Sequence, residues 1–165
     1  MKRLFLACLS IWALIALPGV ATAESDEAAI VRTIMESVNA FANFPQTKDR
    51  QTVLRFYSKD YFGIQDGAVM SRSLIDTQYA DMEKMLKDGI PMTIKVSASN
   101  VRAEASGVMG WATYDASIYW DSSGLPIVKG NEKCTSLLRK SGTQWQIQHD
   151  HCSSQKNEAA DKTRS

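Results

Sequence analysis

The sequence predicts an α+β fold in which helices pack on one face of a curled antiparallel sheet. In the first half of the chain, apolar residues recur every three or four positions, which is the period of a helix. From Met92 onward, apolar and polar residues alternate, which is the period of a strand. Helical segments followed by a run of strands are typical of an α+β domain.

The first 23 residues have the pattern of a cleavable signal peptide. Lys2 and Arg3 precede an apolar run over residues 4–17, and Ala21-Thr-Ala23 matches the small-x-small cleavage pattern. The apolar run is shorter than the about 20 residues that a membrane span requires. We therefore expect cleavage after Ala23, a periplasmic or secreted protein, and no membrane segment after cleavage.

Length and charge limit the rest of the chain to one domain without a nucleic-acid site. Residues 24–153 are enough for a single hydrophobic core. Without Lys2 and Arg3, 17 of the 19 basic side chains remain against 18 acidic ones, a formal net charge of −1. No basic block or stripe occurs, which argues against nucleic acid as a partner. Residues 154–165 are rich in charge, and we predict a disordered tail.

Three helices are predicted before Met92. Ser25 is a candidate N-cap for the first helix, whose apolar stripe reaches Asn43. A second, shorter helix is expected from Lys48 to Tyr57. The third begins near Ser71 or Ser73, where Ser73-Leu-Ile-Asp76 resembles a capping box, and ends before Gly89, a residue that commonly terminates helices.

Short strands are predicted over residues 61–65, 94–98 and 112–120 and on both sides of a two-residue turn at Ser141-Gly142. On the last strand, strict alternation places Trp145, Ile147, His149 and His151 on one face and Gln146, Gln148 and Asp150 on the other.

Two cysteines, Cys134 and Cys152, remain after signal cleavage. Oxidising conditions outside the cytoplasm favour a disulfide between them. However, a turn at Ser141-Gly142 places Cys134 opposite His149, and the remaining offset is about 10 Å along the strand, too far for a disulfide. A bulge or a bend would close the gap. Paired and unpaired cysteines both remain open.

Residues 28–43, 57–67 and 111–120 and the final hairpin together resemble one family. The matching hairpin residues are Gly142, Trp145, Ile147, His151 and Ser153. With these features the chain resembles the SnoaL-like branch of the nuclear transport factor 2-like superfamily, over roughly residues 24–153. The resemblance implies a cone-like curved sheet on about three helices, a pocket inside, and a homodimer formed through the outer sheet face. The superfamily includes isomerases, dehydratases, cyclases and non-catalytic binders, so the resemblance specifies the fold more closely than the function.

Aromatic residues are dense in the segments that would form the pocket. Such a lining suits a small apolar or aromatic molecule held by a few polar groups, although the same side chains would also fill an ordinary core. The candidate ligand-binding residues are Tyr57, Tyr61, Trp111, Tyr114, Trp120, Trp145, His149 and His151.

Three of the sequence's side chains are candidates for catalysis. Imidazole titrates near neutral pH, so His149 is a candidate acid or base, and a carboxylate near aromatic rings, such as Asp115, is a candidate base. Tyr57 could donate to a developing oxyanion. Each has a structural alternative: a histidine bonded to a carbonyl, an aspartate pointing to water, and a core tyrosine.

No metal or cofactor is predicted. His149 and His151 are two positions apart on a strand, but a catalytic zinc site needs a third protein ligand, and none stands out. Three functions therefore stay open: an exported domain that binds a small ligand, an isomerase, dehydratase or cyclase that moves a proton next to a carbonyl, and a dimerisation or interaction module. Whether the chain is an enzyme is not decided by its sequence.

Overall fold

The computed structural model describes residues 24–155, so the predicted signal peptide lies outside the described residues. The helices are α1 (Asp26–Ala42), α2 (Phe44–Thr47), α3 (Gln51–Leu54) and α4 (Arg72–Lys87). The strands are β1 (Tyr57–Gln65), β2 (Ala68–Ser71), β3 (Met92–Ser106), β4 (Met109–Ser122), β5 (Leu125–Ser141) and β6 (Gln144–Ser154). Within this part of the chain, no helix has the length and apolar character to cross a membrane.

The two long helices begin at serine caps, Ser25 as predicted for the first and Ser71, rather than the alternative Ser73, for the other. The Ser25 hydroxyl accepts a hydrogen bond from the Ala28 amide at 3.2 Å, and Ser71 does the same for Leu74 at 3.1 Å. The predicted second helix is wrong in extent, because only α3 forms there. The carbonyl of Phe56 instead accepts from the Ile147 amide at 2.8 Å, which brings this segment into the sheet.

The six strands form one open sheet in the order β2-β1-β6-β5-β4-β3. Neighbouring strands are antiparallel except β1 and β6, which are parallel. The helices cover one side, here called the inner face, where Ile30 and Ile34 of α1 pack with Leu138 and Ile147 of the sheet. The predicted α+β class with a curved sheet is confirmed.

The last hairpin departs from its predicted register in two ways. Its turn residues are Gly142-Thr143, one position later than predicted, because Ser141 pairs with Gln144. Further along, Ile147 and His149 pair with consecutive residues of β5, so that Gln148 between them is a one-residue bulge.

This bulge inverts the alternation of side chains in the second half of β6. Asp150 is opposite the fully buried Ser136 and faces inward, whereas His149 is opposite Leu137, which is 41% exposed on the outer face. His151 is also exposed. The predicted common face for Trp145, Ile147, His149 and His151 is therefore wrong beyond the bulge, because an extra residue in a strand of period two exchanges its faces.

The same two departures bring the cysteines together. Moving the turn by one position shifts the register by two residues, and the bulge adds one, which closes the three-residue offset. Cys134 is then directly opposite Cys152, their Cα atoms are 4.2 Å apart, and the sulfurs form a disulfide. The two cysteines are 18 residues apart in the sequence, and closing a loop of about this length with a disulfide stabilises a fold by roughly 3 kcal/mol.

Candidate functional site

A cavity of about 520 Å³ lies between α4 and the inner face of the sheet. Most of the lining side chains are aromatic or apolar, and the others are two amides and two carboxyl groups. The lining residues are Phe41, Tyr57, Tyr61, Gln65, Met70, Ile75, Gln78, Tyr79, Asp81, Met82, Met85, Trp120, Ile127 and Asp150. Helix α4 supplies one side through residues spaced three or four apart, which share a helical face.

A hydrogen bond between β1 and β6 joins two polar side chains of the cavity lining. The hydroxyl of Tyr61 donates to Oδ1 of Asp150 at 2.7 Å. Burial raises the pKa of the Asp150 carboxyl, and the hydrogen bond from Tyr61 opposes part of that rise. Burial also raises the pKa of Tyr61, and the charge of Asp150 adds to this effect. Tyr61 therefore keeps its proton and serves as a donor.

A glycine makes room for this pair. Gly63 is buried and lies beside Asp150 in the sheet. A Cβ atom at position 63 would overlap both the Tyr61 hydroxyl and Oδ1 of Asp150. The close approach of the two side chains thus depends on the absence of a side chain at this position.

Further hydrogen-bond donors face or border the cavity. Tyr57 packs edge-on against Tyr61, with ring centroids 4.8 Å apart, and burial raises its pKa well above the ordinary value. Burial likewise raises the pKa of Tyr79. The hydroxyls of Tyr57 and Tyr79 bond to no other described residue, and the buried Trp120 N–H has no acceptor among these residues. All three are uncharged donors at neutral pH.

A second carboxyl lies near Asp150 on β5. Glu132 accepts a hydrogen bond from the cavity residue Gln65 at 2.8 Å. Burial raises the pKa of Glu132, and the neighbouring charges of Asp66 and Asp150 add to the rise. This end of the site therefore carries negative potential.

The structure brings together some of the predicted ligand-binding residues. Tyr57, Tyr61 and Trp120 line the cavity. Tyr114 lies on the inner face beside the cavity, with its hydroxyl 3.4 Å from Ser136 Oγ, and burial raises its pKa to about 12. Trp145 is 4% exposed and belongs to the core beneath α1. Ligand binding by these residues stays a prediction.

The remaining predicted residues lie on the outer face, away from the cavity. His149 Nδ1 is 2.9 Å from the carbonyl of Phe62, which is the structural alternative considered for this histidine. His151 Nε2 is 3.2 Å from the Ser153 hydroxyl. Trp111 is opposite Leu137 on β5.

Asp115, the predicted base, is also on this face. It accepts a hydrogen bond from Asn100 at 2.7 Å and pairs with Lys133. The bond from Asn100 and then the one from Lys133 lower the pKa of Asp115. Lys133 is itself exposed, so Asp115 is a solvated surface carboxylate in an ion pair.

Asp150 is the principal cavity residue that sequence reasoning missed. Strict alternation placed it on the face opposite Trp145, and the bulge reverses that assignment. The Met and Gln side chains of the lining were also missed, because a helical stripe on α4 reads as core whether or not it borders a cavity.

Comparison with known families identifies a match over most of the chain. The model of the SnoaL-like domain family matches residues 34–156. No curated protein matches the chain at a significant level.

Solved structures share the same architecture at low identity. A nuclear transport factor 2-like protein of unknown function from Pseudomonas putida is 17% identical, with a TM-score of 0.59 over 81% of this chain and 89% of that one. One with a cystatin-like fold from Novosphingobium aromaticivorans is 13% identical, with a TM-score of 0.58 over 81% and 86%. A proposed dehydratase from Streptomyces avermitilis is 18% identical, with a TM-score of 0.57 over 77% and 96%. These likenesses show a common fold.

The close packing at position 63 predicts that Gly63→Ala separates Tyr61 from Asp150. We expect a loss of about 1–3 kcal/mol in the free energy of unfolding, measured with urea, because the new Cβ overlaps both groups. Gly130→Ala is the matched control in β5, where an added Cβ meets nothing within 4 Å. Equal stability of the two variants would contradict the described packing.

The raised pKa of Asp150 predicts a stability gain for Asp150→Asn at neutral pH. A raised native pKa means that the folded state binds more protons, so the wild-type free energy of unfolding falls as pH rises from the ordinary aspartate range through the native pKa. Asparagine can still accept from Tyr61 but carries no charge. The variant should be more stable than wild type at about pH 7, and the difference should vanish at about pH 3.

Urea denaturation at both pH values measures this difference. Asp115→Asn is the control, because its lowered pKa predicts no gain at neutral pH. A gain for Asp150→Asn that does not change with pH would be evidence against a buried charge at this position.

Proposed function

Because this chain belongs to the SnoaL-like domain family, we propose that it binds a small, largely apolar molecule in the cavity between α4 and the sheet. The observation that carries the proposal is a largely apolar cavity whose lining includes one hydrogen-bonded polar pair, Tyr61 and Asp150. Small-molecule sites have volumes of roughly 300–1,000 Å³, mostly apolar walls and a few polar groups that orient the ligand. The volume of about 520 Å³ and the lining fit this description.

A second candidate function, proton transfer next to a carbonyl, is favoured by the chemistry of the same pair. Burial raises the pKa of the Asp150 carboxyl, which makes it a stronger base than an exposed aspartate, and a carboxyl can both accept and return a proton. In this mechanism Asp150 removes a proton from the carbon beside the carbonyl and returns it elsewhere on the same molecule. The Tyr57 hydroxyl, which bonds to no other described residue, would donate to the oxygen on which negative charge develops. The similar fold of the proposed Streptomyces dehydratase agrees with this candidate.

We also propose that the protein works outside the cytoplasm. Residues 1–23 have the composition of a signal peptide, and disulfides such as Cys134–Cys152 persist mainly in oxidising compartments. These two features are independent, since one concerns the leader and the other the folded domain.

A homodimer through the outer sheet face is the third part of the proposal. An outer patch, defined as Phe62, Val69, Trp111 and Leu137, lies on β1, β2, β4 and β5, on both sides of His149 of β6. Phe62 is 50% and Val69 68% exposed in the single chain. Exposed apolar patches commonly mark interfaces, and a two-fold axis would place the same patch on both subunits.

Ligand binding predicts a thermal shift. A compound that occupies the cavity should raise the melting temperature by several degrees, because binding to the folded state alone stabilises it. We would screen steroids, polyketide-like aromatic compounds and fatty acids.

If a compound that binds is also converted to a product, Asp150→Asn should lower the rate about 100-fold or more. His149→Ala is the control that should leave binding and turnover unchanged. If His149→Ala loses ligand binding and turnover while Asp150→Asn keeps them, the assignment of the site to the cavity is overturned.

Native mass spectrometry tests export and dimerisation together. The full chain, expressed in a bacterium and recovered from the periplasm, should begin at Glu24 and have twice the mass of residues 24–165. Leu137→Asp, in the outer patch, should yield monomers, because two buried charges would face each other across the two-fold axis. A chain that keeps residues 1–23, or a wild-type monomer at micromolar concentration, would contradict the corresponding part of the proposal.

A further inference from the structure

The charged side chains of the cavity all have the same sign. Among the residues that the structure describes, its lining includes the exposed Asp81 and the mostly buried Asp150 and no lysine, arginine or histidine. Glu132 lies just beyond it and interacts electrostatically with Asp150. An anionic ligand would therefore meet repulsion at the polar end of the cavity, whereas a cation would be attracted to it.

Asp150 has no cationic partner in the described part of the chain. Its Oδ1 accepts from Tyr61, and no lysine or arginine among the described residues forms an ion pair with it. His149 and His151 on the same strand point to the opposite face, and their charges lower the pKa of Asp150 by less than burial raises it. A mostly buried carboxylate without a directly paired cation is costly, and a positively charged group beside its second oxygen would reduce that cost.

The rings of the cavity offer a second attraction for a cation. Five aromatic side chains take part in the lining: Phe41, Tyr57, Tyr61, Tyr79 and Trp120. The faces of aromatic rings carry partial negative charge, and they attract ammonium groups within about 6 Å of the ring centre. The same rings bury an apolar body attached to that group.

The hydrogen bond from Tyr61 occupies only one oxygen of Asp150. Tyr61 donates to Oδ1, and no other described side chain donates to Oδ2. An acceptor carboxylate with one oxygen still free is suited to receive N–H groups from an ammonium ion, and such charge-assisted hydrogen bonds are the stronger kind.

We propose that the ligand of this cavity is an organic cation, an amine attached to an apolar or aromatic body. The nitrogen binds at Asp150, and the body packs among Tyr57, Tyr79 and Trp120. This inference rests on the proposed small-molecule function of the same cavity and specifies the chemical class of the molecule.

Three naphthalene compounds of similar size test the charge of the ligand. Isothermal titration of the folded chain with 2-naphthylmethylamine, 2-naphthalenemethanol and 2-naphthoate compares a cation, a neutral molecule and an anion. We expect the amine to bind about tenfold or more tightly than the alcohol, and the naphthoate to bind most weakly. Asp150→Asn should abolish the preference for the amine and keep the affinity for the alcohol. Asp115→Asn, which removes an outer-face carboxylate, should keep the preference.

The outcomes separate this inference from the function on which it rests. If the alcohol or the naphthoate binds at least as tightly as the amine, the ligand is not a cation, but the cavity still binds small molecules. If the preference for the amine persists in Asp150→Asn, the cation does not bind at Asp150 and the inference is overturned. If none of the three compounds binds, both the inference and the proposed cavity function fail.

Discussion

A single extra residue in β6, Gln148, determines which side chains of that strand face the helices. Because side chains alternate along a strand, one added residue exchanges the two faces for every position that follows. Asp150 thereby faces inward, within hydrogen-bonding distance of Tyr61, and His149 faces outward against Phe62. The same insertion completes the register that joins Cys134 to Cys152. The disulfide in turn holds the strand in this register beyond the bulge.

The inward placement of Asp150 opposes stability, and this is an argument for function. A buried carboxyl with a raised pKa destabilises the folded state at neutral pH, and the fold makes room for it with a glycine at position 63. Apolar residues at both positions would form a more ordinary core. Proteins commonly keep such unfavourable groups at binding and catalytic sites, where the group acts on a ligand.

Local signals in the sequence were sufficient for much of the fold and for part of the site. The Ser25 cap and the alternation after Met92 up to the bulge depend on residues a few positions apart, and they appear as predicted, whereas the second cap was predicted only as Ser71 or Ser73. The helix predicted up to Tyr57 ends earlier than expected, because the backbone at its end pairs with β6, a partner about 90 residues away in the sequence. The bulge was missed for a similar reason, since alternation assumes that every residue pairs.

The cysteines nevertheless carried a usable signal for the bulge. Sliding a two-residue turn along the hairpin changes the register by even numbers, whereas Cys152 lies three residues beyond His149, the residue predicted opposite Cys134. A disulfide therefore required an odd correction, such as one bulged residue, between the turn and the cysteines. A disulfide taken as a constraint predicts Asp150 on the inner face.

The most direct test of this placement is a nuclear Overhauser spectrum of residues 24–165. The structure predicts contacts from the Tyr61 ring to Asp150 and from the His149 ring to Phe62. Contacts from Tyr61 to His149 would contradict it.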